Sequence, residues 1–227
     1  MSILPVGWHI GPIALDDSGP LGILLAFVVF LYVGKREFAK RGGDGDKLTD
    51  ALCWMGAAWV FTPRLLSFLY APAESFAHPI LTLVNGEVPY GGWLGATAAL
   101  LAGVWWQRKH RFPLWAAGEA VAKAFVCGFV VYALCYAEAG MQTSLPWAVT
   151  LGESTYHPLN LYQALLALLI LALRRSGYLS LGLLGGGLLL LSLLQVHPHT
   201  QFGLASVQWL WLLLTAVGLL NKSEKAA

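Results

Sequence analysis

The stretch STYHPLNLYQALLALLILALRR, Ser154 to Arg175, sets a histidine, an asparagine, a tyrosine and a glutamine at the mouth of an otherwise apolar run. His157, Asn160, Tyr162 and Gln163 all have hydrogen-bonding side chains. Positions three, and six or seven, apart share one side of a helix. A helix running through His157 therefore carries Asn160 and Gln163 near the histidine's face, as a polar stripe turned towards the protein interior. Two cations also stand inside apolar sequence: Arg64, directly after Pro63, and Lys123, four residues after Glu119. A cation at membrane depth costs about 2.5–3.5 kcal/mol on insertion scales, so it faces a partner or a polar cavity. Lys123 has Glu119 one turn away as a partner. Arg64 has no acidic neighbour in sequence. It either opens on a ligand-binding cavity, takes the backbone carbonyl that Pro63 frees, or reaches the outer surface. Finally, YGGWLG (Tyr90–Gly95) puts Gly91 and Gly92 at the start of an apolar run. Adjacent glycines let backbone approach a ligand, and the N–H groups of a helix start suit an anion.

The elements that must position these groups are membrane spans. The chain of 227 residues is 57% hydrophobic and only 11% charged, with mean hydropathy +0.64. A soluble domain carries about 25% charged residues. Seven apolar runs predict transmembrane helices: Leu21–Tyr32 extended at both ends, Asp50–Tyr70, Gly91–Trp106, Leu114–Tyr136, Asn160–Leu173, Leu179–Gln195 and Leu204–Leu220. Twelve of the 14 Lys and Arg residues fall in the first, third and fifth connections and the tail. Basic residues mark the cytoplasmic side, so the amino end is expected outside and the carboxyl end inside. The expected fold is an all-α, polytopic integral membrane protein forming one transmembrane domain over residues 1–227. The net charge of +2 then reflects topology and gives no sign of a nucleic-acid partner.

The first apolar run follows Asp16 and Asp17, which argues against a cleavable leader. The run LSLGLLGGGLLLLSLL (Leu179–Leu194) reads as a lipid-facing span whose glycines permit close helix approach or a kink. The connection Ala71–Tyr90 holds a short apolar run, His78 to Val84, closed by Asn85-Gly86, which predicts a short element along the outer interface. Cys53, Cys127 and Cys135 lie within spans, without ligand spacing, and read as packing residues. His197-Pro-His199 is not a standard ligand pair, so neither a metal nor a cofactor is expected.

In this order the pieces resemble the prolipoprotein diacylglyceryl transferase family of bacterial inner-membrane enzymes. The likeness runs from about His9 to Leu171 and is carried by GPIAL (Gly11–Leu15), PRLLSFLY (Pro63–Tyr70), YGGWLG, SLPWAV (Ser144–Val149) and above all HPLNLYQALL (His157–Leu166). The last is similar to the family's His-Pro-x-Gln-Leu-Tyr-Glu run, with Asn160 for its Gln and Gln163 for its Glu. Tyr90 stands where the family has the histidine before Gly-Gly. Gly128-Phe129-Val130-Val131-Tyr132-Ala133 replaces its Gly-Arg-x-Gly-Asn-Phe, and Tyr156 replaces the arginine before His-Pro.

The resemblance implies transfer of a diacylglyceryl group from phosphatidylglycerol to a lipoprotein cysteine thiol at the outer leaflet, with the lipid and a lipoprotein precursor peptide as partners. Such a transfer needs a cation for the phosphate and a base for the thiol proton. Arg64, with Lys123 second, is the expected phosphate anchor, because guanidinium matches phosphate geometry. His157 is the expected base, with Glu138 or Glu153 behind it. Tyr90 joins His157 as a catalytic candidate, and Gly91, Gly92, Asn160, Tyr162 and Gln163 as well as the cations are expected to line the substrate site. With so many charged positions replaced, the other reading is a non-catalytic descendant that binds phospholipid or a lipoprotein or partner protein.

Overall fold

The computed structural model describes residues 8–10, 13–15, 19–86, 88–136, 138–173, 175–195 and 203–221. His197 and His199 lie outside them. Each of the seven apolar runs is helical. In chain order the elements are a hairpin of β1 (Trp8–Ile10) and β2 (Ile13–Leu15), then α1 (Gly19–Ala39), α2 (Gly45–Tyr70), α3 (Pro72–Ala77), α4 (Pro79–Asn85), α5 (Gly91–His110) and α6 (Leu114–Cys135). A small sheet of β3 (Ala139–Gln142), β4 (Val149–Leu151) and β5 (Ser154–Pro158) follows, and then α7 (Leu159–Ala172), α8 (Gly177–Leu191), a 3-10 turn (Ser192–Leu194) and α9 (Ser206–Leu220). Among the described residues α2, α6 and Gly177–Leu194 are long and apolar enough to cross a membrane, and Leu159–Ala172 and Val207–Leu220 are shorter apolar helices. The chain is thus a mostly helical membrane protein, with two small antiparallel sheets that the all-α expectation did not include.

Two compact units form, one of residues 1–37 with 118–227 and one of residues 38–117. In the second unit α2 and α5 pack through a stripe of small residues. A Cβ on Gly95 would lie 2.5 Å from the Trp59 carbonyl, one on Gly103 2.8 Å from Met55 Sδ, and one on Gly91 3.3 Å from Pro63 Cβ. Gly91, Gly95 and Gly103 are multiples of four apart, so they share one face. The partners Pro63, Trp59 and Met55 recur at the same interval on α2. Pro63 has no N–H to give the Trp59 carbonyl, and the glycine-bared face of α5 lies against that oxygen. At its start α2 is capped by Asp44, whose carboxylate accepts from the N–H of Asp46 at 3.1 Å and of Lys47 at 3.4 Å. The connection Ala71–Tyr90 holds α3 and α4, and α4 is the short element predicted there.

In the first unit α8 is exposed on only part of its surface, at Leu183 and Leu190, where the expectation was a lipid-facing span; the rest packs between α7 and α9. Its Leu184 and Leu188 are fully or almost fully buried. The glycines explain why: a Cβ on Gly182 would meet the Gly218 Cα at 3.0 Å, one on Gly185 the Trp211 carbonyl at 2.7 Å, and one on Gly187 the Leu166 side chain at 2.5 Å. Removing side chains on both flanks lets two helix backbones approach closely, which drives association where lipid gives no hydrophobic push. Glu119 on α6 is 2% exposed and accepts from the Gly177 N–H at 2.7 Å, so a carboxylate caps the first turn of α8.

Candidate functional site

The predicted helix through His157 does not form. Pro158 ends β5, and α7 starts at Leu159, so His157 lies on a strand and the helical spacing applies only from Asn160 onward. The sheet explains this. Gly152, at φ 64°, takes the first central position of a two-residue turn between Leu151 and Ser154, the geometry that glycine favours in a tight hairpin. The extended strand that follows pairs with β3 and β4 up to Pro158. Glu153 sits exposed in that turn.

Two polar groupings result, one on each side of the strand-to-helix junction. In the first, the Tyr162 hydroxyl accepts from the Trp147 indole N–H at 2.8 Å and lies 3.3 Å from His157 Nδ1. A phenol oxygen held by one donor can still exchange a hydrogen bond with imidazole, so the indole and phenol fix the orientation of the His157 ring. In the second, Asn160 and Gln163 point inward and are 3% and 8% exposed. Gln163 Nε2 donates to Glu138 Oε2 at 2.7 Å, and Gln195 Nε2 donates to Glu138 Oε1. The Asn160 N–H donates to the Glu138 carbonyl at 3.4 Å, while Asn160 Oδ1 is buried without a partner among the described residues. Close by in sequence to Gln195, Ser192 accepts from Gln208 Nε2 at 2.9 Å.

This second grouping forms the polar end of a cavity of about 860 Å³ contained in the first unit. Glu138, Gln163, Ser192 and Gln195 contribute polar atoms, and the walls are Phe27 and Phe30 of α1, Phe125, Phe129 and Tyr132 of α6, Leu188 of α8 and Trp211 of α9. Such a volume lies in the range of small-ligand sites, about 300–1,000 Å³. Its form, apolar over most of its length and polar at one end, suits an amphiphile. Phe129 and Tyr132, which stand at the arginine and asparagine of the family signature, both line it. Gly128 brings α1 close, since a Cβ there would lie 2.9 Å from the Ala26 carbonyl. His157 and Lys123 are not among the lining residues. Lys123 is half-buried on α6, two residues from Phe125, on another side of the helix from the cavity face.

The other expected site residues belong to the second unit. The Arg64 guanidinium is half-buried and donates to the Val60 carbonyl at 2.6 Å, one turn back on α2. It thus uses a carbonyl adjacent to the one Pro63 frees. Tyr90 caps the start of α5 in the left-handed region, φ 60° and ψ 21°, with its side chain 81% exposed. A bulky residue there is strained by roughly 1–3 kcal/mol. Gly91 packs on Pro63, next to Arg64 in sequence, while nothing lies within 4 Å of the Cβ position of Gly92. The polar residues that sequence reasoning missed are Ser192, Gln195 and Gln208. Their signal was available as isolated polar side chains at the ends of apolar runs, the same signal that marked Asn160 and Gln163.

The class that fold and site define is a mostly helical membrane protein with a cavity, apolar along its walls and polar at one end. The family model for prolipoprotein diacylglyceryl transferase matches residues 5–181, so the chain belongs to that family. It is 30% identical over 175 residues to phosphatidylglycerol--prolipoprotein diacylglyceryl transferase 2 of Streptomyces coelicolor, covering 69% of this chain and 55% of that protein. It is also 30% identical over 182 residues to the phosphatidylglycerol--prolipoprotein diacylglyceryl transferase of Bartonella bacilliformis, covering 71% of this chain and 62% of that protein. The chain thus spans little more than half the length of the curated relatives it matches. No solved structure matches it.

Proposed function

We propose that this protein transfers a diacylglyceryl group from phosphatidylglycerol to the cysteine thiol of a lipoprotein precursor, at the outer leaflet of a bacterial inner membrane that it crosses seven times, amino end out. In that reaction the sulfur bonds to the terminal glyceryl carbon, the carbon–oxygen bond to phosphate breaks, and glycerol phosphate leaves with the electron pair. The thiol proton passes to a base. The observation that carries the reading is the cavity with one polar end, inside the half of the molecule that holds the His-Pro…Leu-Tyr run.

His157 serves as the base, with its ring set by Tyr162 and, through it, Trp147. A base oriented by a third group is the arrangement that nucleophile activation requires. Within the second unit, Arg64 and the N–H groups at Gly91 and Gly92 beside Tyr90 are the groups suited to an anion. Asn160 and Gln163 act through the polar end of the cavity. Lys123 is assigned to helix packing.

The test is direct. Purified protein, radiolabelled phosphatidylglycerol and a lipobox peptide are expected to give a thioether-linked product, and His157→Ala is expected to lower its rate at least a hundredfold. Binding of phosphatidylglycerol with no thioether above background would establish the non-catalytic reading instead.

A further inference from the structure

At one end of the second unit, cations and indoles are built into a single platform. Arg108 and Lys109 lie in the last turn of α5 and Arg111 follows as its cap, all three exposed. Among the described residues none of the three forms an ion pair. Lys109 Nζ lies 5.1 Å from the ring centroid of Trp105 and 5.5 Å from that of Trp106, close enough for both aromatic faces to hold the ammonium. Trp106 is itself fixed. Its indole N–H donates to the Lys47 carbonyl at 3.1 Å, and the rings of Trp54 on α2 and of His110 lie 6.3 Å and 4.7 Å from it. The platform therefore ties the first turn of α2 to the last turn of α5.

Helical spacing extends the pattern away from the charges. Trp105 and Leu101 stand four and eight residues before Lys109, Val104 and Leu100 stand four and eight before Arg108, and all four are exposed. Residues four apart share a face, so two neighbouring stripes each run from a cation onto apolar side chains. A helix dipole and membrane topology both favour cations at such an end. Neither calls for cations seated on exposed indoles at the head of an apolar face, whereas an amphiphile with an anionic head does.

We infer that this end of the α2–α5 pair binds an anionic phospholipid of the surrounding leaflet, with its phosphate against Lys109 and Arg108 and its chains along the two stripes. The site shares no lining residue with the cavity and does not depend on the proposed transfer. A lipid, and not a soluble phosphate, is the occupant because the charges head an exposed apolar face.

The experiment places the full-length protein in phosphatidylcholine nanodiscs doped with a photoreactive lipid, either phosphatidic acid or phosphatidylcholine, with the reactive group at the same depth in identical chains. Labelled peptides are mapped after irradiation. Residues 97–111 are expected to take about tenfold more label from phosphatidic acid, since each basic side chain near the surface contributes about fivefold. Lys109→Gln is expected to lower that ratio about fivefold, and Lys109→Arg to keep it. Equal labelling by the two lipids overturns the inference, as does a ratio that survives both Lys109→Gln and Arg108→Gln. A preference of the same size at the Arg174–Arg175 connection would mean that charge alone is at work, and overturns it too. No step of the measurement reads thioether formation, so the result stands apart from the transferase reading.

Discussion

Tyr162→Phe removes a single oxygen that two other side chains share. Trp147 loses its acceptor and His157 its orienting partner, which should destabilise the protein by about 1 kcal/mol. If His157 is the base, turnover should fall by more than that loss of stability explains. The check is the thermal midpoint in detergent set against the rate of thioether formation. Gln163→Leu acts differently, because it strips a donor from a partly buried carboxylate. Leaving that group under-satisfied should cost about 1–3 kcal/mol, read as a lowered thermal midpoint. Asp44 gives a pH signature. Its hydrogen bonds to Lys47, first through the side chain and then through the backbone N–H, hold its carboxyl below the ordinary value of 3.8. A depressed carboxyl stabilises the fold above its unfolded pKa, and that contribution fades as pH falls through the folded one. The stability difference between the native protein and Asp44→Asn should therefore be constant near neutrality and shrink only below about pH 4.

At the scale of helices, glycine positions decide what can pack. Gly95→Leu drives a side chain into the Trp59 carbonyl, 2.5 Å from where its Cβ must sit. Backbone cannot yield as a side chain can, so the α2–α5 pair should lose about 1–3 kcal/mol or more. Gly92→Ala, one turn away with nothing within 4 Å, should be neutral or stabilising by up to about 1 kcal/mol through helix propensity. Thermal unfolding of the two variants side by side tests the contrast, and equal midpoints would sink it. Gly182 and Gly218 make the same point for α8 and α9. The sequence flagged the glycines of α8 as capable of close approach, yet the run itself reads as uniform grease, because apolar periodicity carries no record of which side meets protein and which meets lipid.

For the whole molecule the testable matter is orientation. In a background lacking Cys53, Cys127 and Cys135, a cysteine at position 153 should react with an impermeant thiol reagent on intact cells. One at position 109 should react only after the membrane is opened. The opposite pattern would reverse the orientation drawn from the basic connections. A cavity walled by α1, α6, α8 and α9 also means that the candidate site is assembled from elements more than a hundred residues apart.

Read alone, the sequence determined the helices, because a span must bury every backbone polar group internally and only long apolar runs can do so. It also marked Asn160, Tyr162 and Gln163 as polar side chains too costly to face lipid, and the inward placement of Asn160 and Gln163 follows from that cost. Tertiary structure alone decided that His157 belongs to a strand, since Pro158 and the pairing of β5 outweigh helical spacing. It alone brought Gln195 to Glu138, 57 residues away. Such a pairing depends on the packing of α8 between its neighbours, and no local pattern of residues encodes it.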